Sequence, residues 1–244
     1  LFDRSLRVAS LAISRDVAIS NGDALSPSTR SFISDAAHQL RNPAAALLAL
    51  AETLPDVTDE TERAARQAEL IAAARSSARL TDQLLQLERL RYGDSGTRLR
   101  FDLNDVIEDV CQRLAPAALM RDLDFSLSRS AEPLPALGDP VLIGEAVTNL
   151  VDNALRHGGD GMTRITVRTA LRGARLEVTV EDDGIGIPAD QSEAAFRRFS
   201  QLRNGEGTGL GLSIVEQVVR RHHGNVRLIE ATRGTTLRIE LPRA

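Results

Sequence analysis

The stretch Gly93-Asp94-Ser95-Gly96 separates two halves of the sequence that carry different patterns. Before it, alanine and leucine recur at helical spacing over long stretches, whereas after it short strand-like runs alternate with helical segments. Glycine and small polar residues interrupt both kinds of periodicity, so the stretch is typical of a linker. We therefore predict a helical domain over residues 26–92 and a mixed domain over residues 98–244, joined by residues 93–97.

The N-terminal half predicts a hairpin of two long helices. Ser26-Pro27 marks the first start, because serine caps a first turn and proline fits the first helical position. This helix is expected to end near Leu54. After a short turn, Thr58 or Asp59 is expected to cap a second helix over about residues 60–91.

A hairpin of two helices cannot enclose a hydrophobic core by itself. We therefore expect a homodimer through residues 26–92, which would complete a four-helix bundle. The predicted apolar seam of the second helix consists of Ala64, Ala68, Ile71, Ala74, Ala78, Leu84 or Leu85, and Leu87.

Residues 1–25 carry an amphipathic stripe that is broken by Asn21-Gly22-Asp23. We interpret this segment as a signalling helix or as the remnant of a sensor region. The first residue is Leu rather than Met, and the longest apolar run, over residues 44–51, is too short to span a bilayer. The chain is therefore expected to be a piece of a longer protein, with any membrane spans lying outside it.

The C-terminal half predicts an α+β sandwich, in which helices cover one face of a sheet. Strands that follow one another directly, rather than alternating strictly with helices, favour this class. The predicted helices cover residues 103–120 (capped by Asp102), 141–156 and 210–222, and the predicted strands cover residues 124–128, 134–137, 164–170, 176–181, 226–230 and 235–241.

Composition excludes several classes of function. The 244 residues are 42% hydrophobic, which is enough for a real core, and the net charge of −4 is a mixture of both signs without a basic stripe. We therefore expect no nucleic-acid partner. Cys111 is the lone cysteine, so disulfides and thiolate metal clusters are excluded and a reducing compartment fits.

Asn149 and Asn153 stand four residues apart on a predicted helix, so their amides share one face. A carboxamide oxygen is a neutral hard ligand suited to Mg²⁺, which proteins commonly share with phosphates and water. Taken alone, the pair could equally be two polar residues on a solvated helix face.

The run Asp182-Asp183-Gly184-Ile185-Gly186 follows a hydrophobic strand. A carboxylate at a strand end can accept a hydrogen bond from an exocyclic amine such as that of adenine. Gly184 and Gly186 would let the backbone approach the purine without a Cβ clash. A simple tight turn is the alternative.

The run Gly207-Thr208-Gly209-Leu210-Gly211 leads directly into a helix. Its backbone N–H groups and the helix dipole favour an anion such as phosphate. No Gly-Lys-Ser/Thr follows and no strand directly precedes it, so it is neither a Walker loop nor a good Rossmann fingerprint. Between it and the preceding motif, Phe196 to Glu206 predicts a mobile lid in which Arg198 or Arg203 could contact phosphate; a surface helix is the alternative.

His38 is expected in the middle of the first helix, with Asn42 one turn further on the same face and a bend beside Pro43. Near neutral pH much of an imidazole is unprotonated, so a ring nitrogen can attack phosphorus. A lone helical histidine is more often structural or solvated. The nucleotide motifs that follow in order favour the nucleophile.

These residues resemble the sensor histidine kinases of bacterial two-component systems, and the resemblance covers about residues 27–243. Residues 32–54 resemble the H box, and the motifs at Asn149, Asp182, Phe196 and Gly207 resemble the N, G1, F and G2 boxes of the GHKL-type ATP-binding fold. The resemblance implies ATP and Mg²⁺ as cofactors, a response regulator receiver domain as partner, and the cytoplasmic portion of a protein anchored in the bacterial inner membrane.

The resemblance also implies individual roles. His38 would be the phospho-acceptor, Asn153 the Mg²⁺ ligand, Asn149 a phosphate-side partner and Asp182 the adenine reader. Asn42 matches a position that orients water for dephosphorylating the regulator in many members.

One residue departs from the family pattern, because Gln39 stands where Glu or Asp commonly follows the histidine. An amide cannot take up a proton as a carboxylate does. Its oxygen can still accept a hydrogen bond from the imidazole N–H and hold the tautomer. The sequence resembles a subgroup of these kinases that has His-Gln-Leu-Arg at this site, so we interpret the chain as an active variant.

Two other functions remain open from the sequence. The first is a GHKL-type ATPase that clamps a dimer, which needs a glutamate acting on water, and Glu145 lies one turn before Asn149. The second is a degenerate kinase that binds a regulator as a scaffold or acts chiefly as a phosphatase through Asn42.

Overall fold

The computed structural model describes residues 27–92, 98–200 and 207–244. The expectations for residues 1–25, for the linker over residues 93–97 and for Arg203 lie outside these ranges. The chain divides into two compact units, one that ends at Ser77 and one that runs from Ala78 to Ala244. None of the helices described within these ranges has the length and apolar character needed to cross a bilayer.

Two long helices form the N-terminal half, as predicted. They are α1, Pro27–Thr53, and α2, Glu60–Tyr92, and a short 3-10 turn, Leu54–Asp56, follows α1. Of the two candidate caps, Asp59 is the one used, because its carboxylate accepts the Glu62 N–H at 2.8 Å. The boundary between the two compact units falls inside α2.

The predicted seam of α2 divides into an exposed and a buried part. Ile71 is 49% exposed and the four alanines of the predicted seam are also exposed, whereas Leu87 is fully buried. Leu80, which the seam prediction omitted, is buried as well, and of the two alternatives Leu84 is half-buried while Leu85 is 53% exposed. The single chain therefore leaves much of the seam uncovered, and the four-helix bundle stays a prediction.

The C-terminal half is an α+β sandwich, as the sequence predicted. Its elements are β1 Leu99–Asp102, α3 Leu103–Leu119, β2 Asp124–Ser128, β3 Pro135–Gly138, α4 Pro140–His157, β4 Arg164–Arg172, β5 Arg175–Asp182, α5 Gly211–Arg221, β6 Asn225–Ile229 and β7 Thr236–Pro242. A five-stranded sheet has the order β2-β4-β5-β7-β6, with β2 parallel to β4 and the other neighbours antiparallel, and β1 pairs separately with β3.

Alternation along β5 explains why the helices lie on one face. Leu176, Val178 and Val180 are buried, while Glu177 and Thr179 between them are partly exposed. Because successive strand residues point to opposite faces, one face of the sheet packs against helices and the other faces solvent. The hydrophobic core of this domain lies between that face and α3, α4 and α5.

The element predictions were close, with two differences. Strand β1 was missed, since four residues with only the last two half-buried are too short to carry a periodic signal. The β4–β5 turn lies at Gly173-Ala174 rather than Arg172-Gly173, because Arg172 still pairs with Arg175. The predicted cap of α3 is confirmed, as Asp102 accepts the Asn104 N–H at 2.9 Å.

His222, at the end of α5, ties that helix to the start of α4. The Asp139 N–H donates to His222 Nε2 at 2.9 Å, so this nitrogen is the unprotonated one. The proton is therefore on Nδ1, which donates to the Val218 carbonyl at 2.7 Å. Burial lowers the pKa of His222 below 6.5, and the structure holds the neutral imidazole.

This histidine predicts a pH-dependent stability. The folded state binds fewer protons at His222 than the unfolded chain does, because the folded pKa is the lower one. The contribution of His222 is present above about pH 6.5 and is lost as the pH falls toward the folded pKa. Urea denaturation at pH 7.5 and 5.5 should show that wild type loses more unfolding free energy on acidification than His222→Gln. An equal loss in both proteins would contradict the assignment.

Candidate functional site

Helix α4 carries the paired asparagines on one side and core residues on the other. Asn149 and Asn153 are half-buried, while Leu150 and Val151 between them are buried. A Cβ placed on Gly211 would lie 3.8 Å from Asn149 Oδ1, so the first residue of α5 lies beside this amide. The structure thus brings the asparagine motif and the last glycine motif together.

Asp182 ends β5 as a buried carboxylate with 5% exposure. Its Oδ1 accepts N–H groups from Gly184 at 3.0 Å and Thr235 at 3.2 Å. Burial raises the pKa of Asp182, and these hydrogen bonds oppose the rise. The turn that follows is therefore organised around a carboxyl group held in a dry position.

Gly184 has no room for a side chain. A Cβ there would lie 2.3 Å from the Gly158 carbonyl oxygen, and the Ile185 N–H donates to the same oxygen at 2.9 Å. The turn after β5 is thus pressed against the C-terminal end of α4. Gly186 lies next to Gly234 in the same way, with 2.6 Å from a Cβ to the Gly234 oxygen.

Asp183 differs from its neighbour, because it braces the turn from outside. Its carboxylate accepts the Thr163 N–H at 2.8 Å, the Thr163 hydroxyl at 2.6 Å and the Arg164 N–H at 2.9 Å. Burial raises its pKa, but these hydrogen bonds and the charge of Arg233 outweigh that effect and lower the pKa of Asp183 to about 2. Adjacent carboxylates therefore have opposite environments.

The glycine loop before α5 faces the lid. Gly209 has a φ of +66°, and a Cβ on it would lie 2.6 Å from the backbone of Phe199. Thr208 Oγ accepts the Leu210 N–H at 3.3 Å. Gly207 lies beside the His157 ring, 3.3 Å from where its Cβ would stand.

The start of α5 is open in a way that suits an anion. Leu210 occupies the N-cap position, and no side chain caps the helix. Free N–H groups at a helix start, together with the dipole, favour phosphate. The Leu210 side chain itself is fully buried, so any contact of Leu210 with a ligand would come from its backbone.

The lid is described only in part. A 3-10 turn, Ala194–Phe196, precedes the exposed Arg197 and Arg198 and the half-buried Phe199, whose φ is +59°. A positive φ is costly for a bulky residue, so the packing of Phe199 against Gly209 holds a strained backbone in place. The predicted contact of Arg198 with phosphate stays a prediction.

The phospho-acceptor candidate lies in the first compact unit. His38 is within α1, in which Gln39 is half-buried and Asn42 is exposed. The nucleotide-site candidates lie in the second unit, from Ala78 to Ala244. Transfer between them stays a prediction.

Sequence reasoning missed several residues that support Asp182 and the turn after β5. Thr235 and Gly234 hold Asp182, and Gly158 supports the turn after β5. A signal was available in Arg233-Gly234-Thr235, which is a turn pattern directly before a strand. It gave no hint of which strand end it would meet.

The donor set fits a magnesium-bound purine triphosphate. A buried carboxylate at the end of β5 suits the amino group of a base. The space beside Gly184 and Gly186 is filled by Gly158 and Gly234, so these glycines make room for protein backbone and not for a purine as the sequence predicted. The helix start that no side chain caps suits phosphate, and two amide oxygens on α4 suit Mg²⁺. These features lie on α4, the turn after β5 and the loop before α5; the turn and the loop each contact α4 or the glycines at its C-terminal end.

Comparison with known proteins gives a family match for each half of the chain. The family described as "Histidine kinase-, DNA gyrase B-, and HSP90-like ATPase" matches residues 138–244, and the "His Kinase A (phospho-acceptor) domain" matches residues 28–93. The sensor-like histidine kinase SenX3 of Mycolicibacterium smegmatis is 32% identical over 222 residues, which are 87% of this chain and 57% of SenX3. The chain thus spans somewhat more than half of that relative.

Two solved structures are also similar. The mycobacterial sensor histidine kinase MprB has 32% identity and a TM-score of 0.53, covering 60% of this chain and 97% of that one. The Acinetobacter baumannii histidine kinase AdeS has a TM-score of 0.66 over 84% of this chain and 98% of its own, and at 19% identity it indicates the fold alone. Together with the two family matches, these findings establish that the chain belongs to the sensor histidine kinases of bacterial two-component systems.

Proposed function

We propose that this chain autophosphorylates His38 from Mg-ATP and passes the phosphoryl group to an aspartate of a response regulator receiver domain. The observation that supports the nucleotide part is that α4 contacts both the open start of α5, beside Asn149, and the turn after Asp182, at Gly158. The match of residues 28–93 to a phospho-acceptor domain supports the histidine part. We also propose that the chain is the cytoplasmic portion of a homodimeric, membrane-anchored receptor that dimerises through residues 26–92.

Each part of the candidate nucleotide site has a separate role in this mechanism. Asp182 accepts a hydrogen bond from the exocyclic amine of adenine. The N–H groups at Gly209 and Gly211 and the hydroxyl of Thr208 hold phosphate oxygens. Asn149 faces the phosphates and Asn153 holds Mg²⁺, which when bound neutralises charge on the terminal phosphates.

At His38 the step is a substitution at phosphorus. A ring nitrogen forms the new N–P bond, the bond from the γ-phosphorus to the bridging oxygen breaks, and ADP leaves. The other nitrogen carries a proton, which Gln39 holds through its amide oxygen and which fixes the tautomer. Asn42 lies one helical turn after His38 on the same face of α1, and we propose that it orients water when the regulator is dephosphorylated.

A second candidate, an ATPase that uses water, is favoured by one observation. Glu145 lies one turn before Asn149, and burial raises its pKa, as expected for a carboxylate that could take a proton from water. Its carboxylate already accepts a hydrogen bond from Gln86 at 2.5 Å, which competes with that role. We therefore favour the kinase.

The test is to incubate the full chain with Mg²⁺ and ATP labelled at either the α- or the γ-phosphate. We expect label on the protein only from the γ position, and we expect it to be lost in acid and kept in alkali, as for a phosphoramidate. Label that survives acid would indicate a phosphoester and would refute phosphorylation of an imidazole. Steady release of phosphate without labelled protein would favour the ATPase.

A further inference from the structure

The C-terminal part of α2 contacts the candidate nucleotide site of the same compact unit, at Thr208 and Asn149. We call residues 78–90 the docking segment. Within it, the Gln83 amide oxygen accepts the Thr208 hydroxyl at 2.5 Å. The amide nitrogen of Gln83 makes a longer hydrogen bond, 3.5 Å, to Asn149 Oδ1. One side chain thus uses both ends of its amide to join the glycine loop to the asparagine helix.

Further contacts support the docking segment. Gln86 donates to Glu145, and the Leu90 carbonyl accepts from Arg221 at 3.2 Å. Leu80 and Leu87 are buried. The segment therefore has anchors on both α4 and α5.

These contacts are suited to release. An open cleft of about 630 Å³ lies beside them. It is lined by polar side chains such as Asp82 and Thr148 and by apolar ones such as Leu85 and Val141. An incompletely packed interface of this mixed character within a chain separates more readily than a large apolar one.

We infer that Gln83 is a built-in competitor of the nucleotide triphosphate, an inference that rests on the proposed function. Its amide oxygen takes the hydroxyl hydrogen of Thr208 that a phosphate oxygen would otherwise accept. Its amide N–H₂ donates to the oxygen of Asn149, one of the two amide oxygens on α4 that suit the Mg²⁺ of the nucleotide. A glutamine is suited to this task because one uncharged group both donates and accepts.

Competition for the same atoms makes docking and nucleotide binding oppose each other. Coupling between two binding events is reciprocal, so each weakens the other by the same factor. Without nucleotide, Gln83 holds the docking segment against Thr208 and Asn149. With nucleotide, Thr208 and Asn149 are taken, and the ATP-binding domain is released for the movement toward His38 that the proposed transfer requires.

The first test measures the affinity of the full chain for the Mg²⁺ complex of a non-hydrolysable ATP analogue by calorimetry. Gln83→Ala removes both contacts, and we expect it to bind the analogue about fivefold to tenfold more tightly than wild type. Gln67→Ala is the matched control, since Gln67 is an exposed glutamine of the same helix. It should bind as wild type does.

The second test measures hydrogen–deuterium exchange in peptides that cover the docking segment. In wild type, the analogue should accelerate exchange there. In Gln83→Ala, exchange should already be fast without nucleotide and should change little on its addition.

The outcomes separate the two proposals. Equal affinity of Gln83→Ala and wild type would overturn the competition while leaving the nucleotide site intact. Weaker binding by Gln83→Ala would make Gln83 a nucleotide contact and would also overturn it. Absence of binding in wild type, Gln67→Ala and Gln83→Ala alike would refute the proposed function, and the competition would fall with it.

Discussion

Replacing His38 by glutamine is expected to lower labelling of the chain from γ-labelled ATP by at least about a thousandfold, as removal of a covalent nucleophile does in other enzymes. The nitrogen of a carboxamide has no lone pair available to attack phosphorus, because it is conjugated with the carbonyl. The measurement is the initial rate of acid-labile label incorporated per chain. Binding of nucleotide should be unchanged, since His38 lies outside the compact unit from Ala78 to Ala244.

Gln39→Glu is the paired variant for this experiment. A carboxylate beside the imidazole can take up its proton, so this variant should retain labelling and increase its rate. The rate of ATP hydrolysis is measured in the same variants. If phosphate release continues unchanged in His38→Gln, hydrolysis by water near Glu145 becomes the better description.

Replacing Asp182 by asparagine is expected to weaken ATP binding about 10- to 100-fold, because a hydrogen bond to a charged acceptor contributes about 1.5–3 kcal/mol and a tenfold change corresponds to about 1.4 kcal/mol. The fold should persist. Asparagine keeps one oxygen for the N–H groups of Gly184 and Thr235. It is also uncharged, so it avoids the cost of burying a carboxylate, which is the cost that raises the pKa of Asp182. Calorimetry measures the affinity, and thermal unfolding monitors the fold.

Asp183→Asn is the matched control, with the same substitution one residue further along the chain. Asp183 bonds to Thr163 and Arg164 on the outside of the turn, so its loss should change the affinity by less than about threefold. Discrimination between purines adds a second reading. Asp182→Asn should lose the preference for ATP over GTP. If Asp182 had only a structural role, the substitution would weaken the binding of both nucleotides equally.

Local signals were sufficient for most elements of this chain. Proline at residue 27, the capping aspartates Asp59 and Asp102, and the alternation in β5 each act within a few residues, so they could be recognised before any tertiary contact was known. The nucleotide motifs were recognisable for the same reason. Glycines and amides at short fixed spacings have few other uses in combination.

The sequence by itself determined the two helices and the sandwich, and it supplied the candidate residues for nucleotide binding. Only the tertiary structure decided which groups meet. The burial of Asp182, the contact of Gly184 with Gly158 and the hydrogen bond between Gln83 and Thr208 join residues that are distant in sequence or depend on packing. Periodicity and turn chemistry describe a few neighbouring residues, whereas long-range contacts depend on how whole elements pack, which no local pattern encodes.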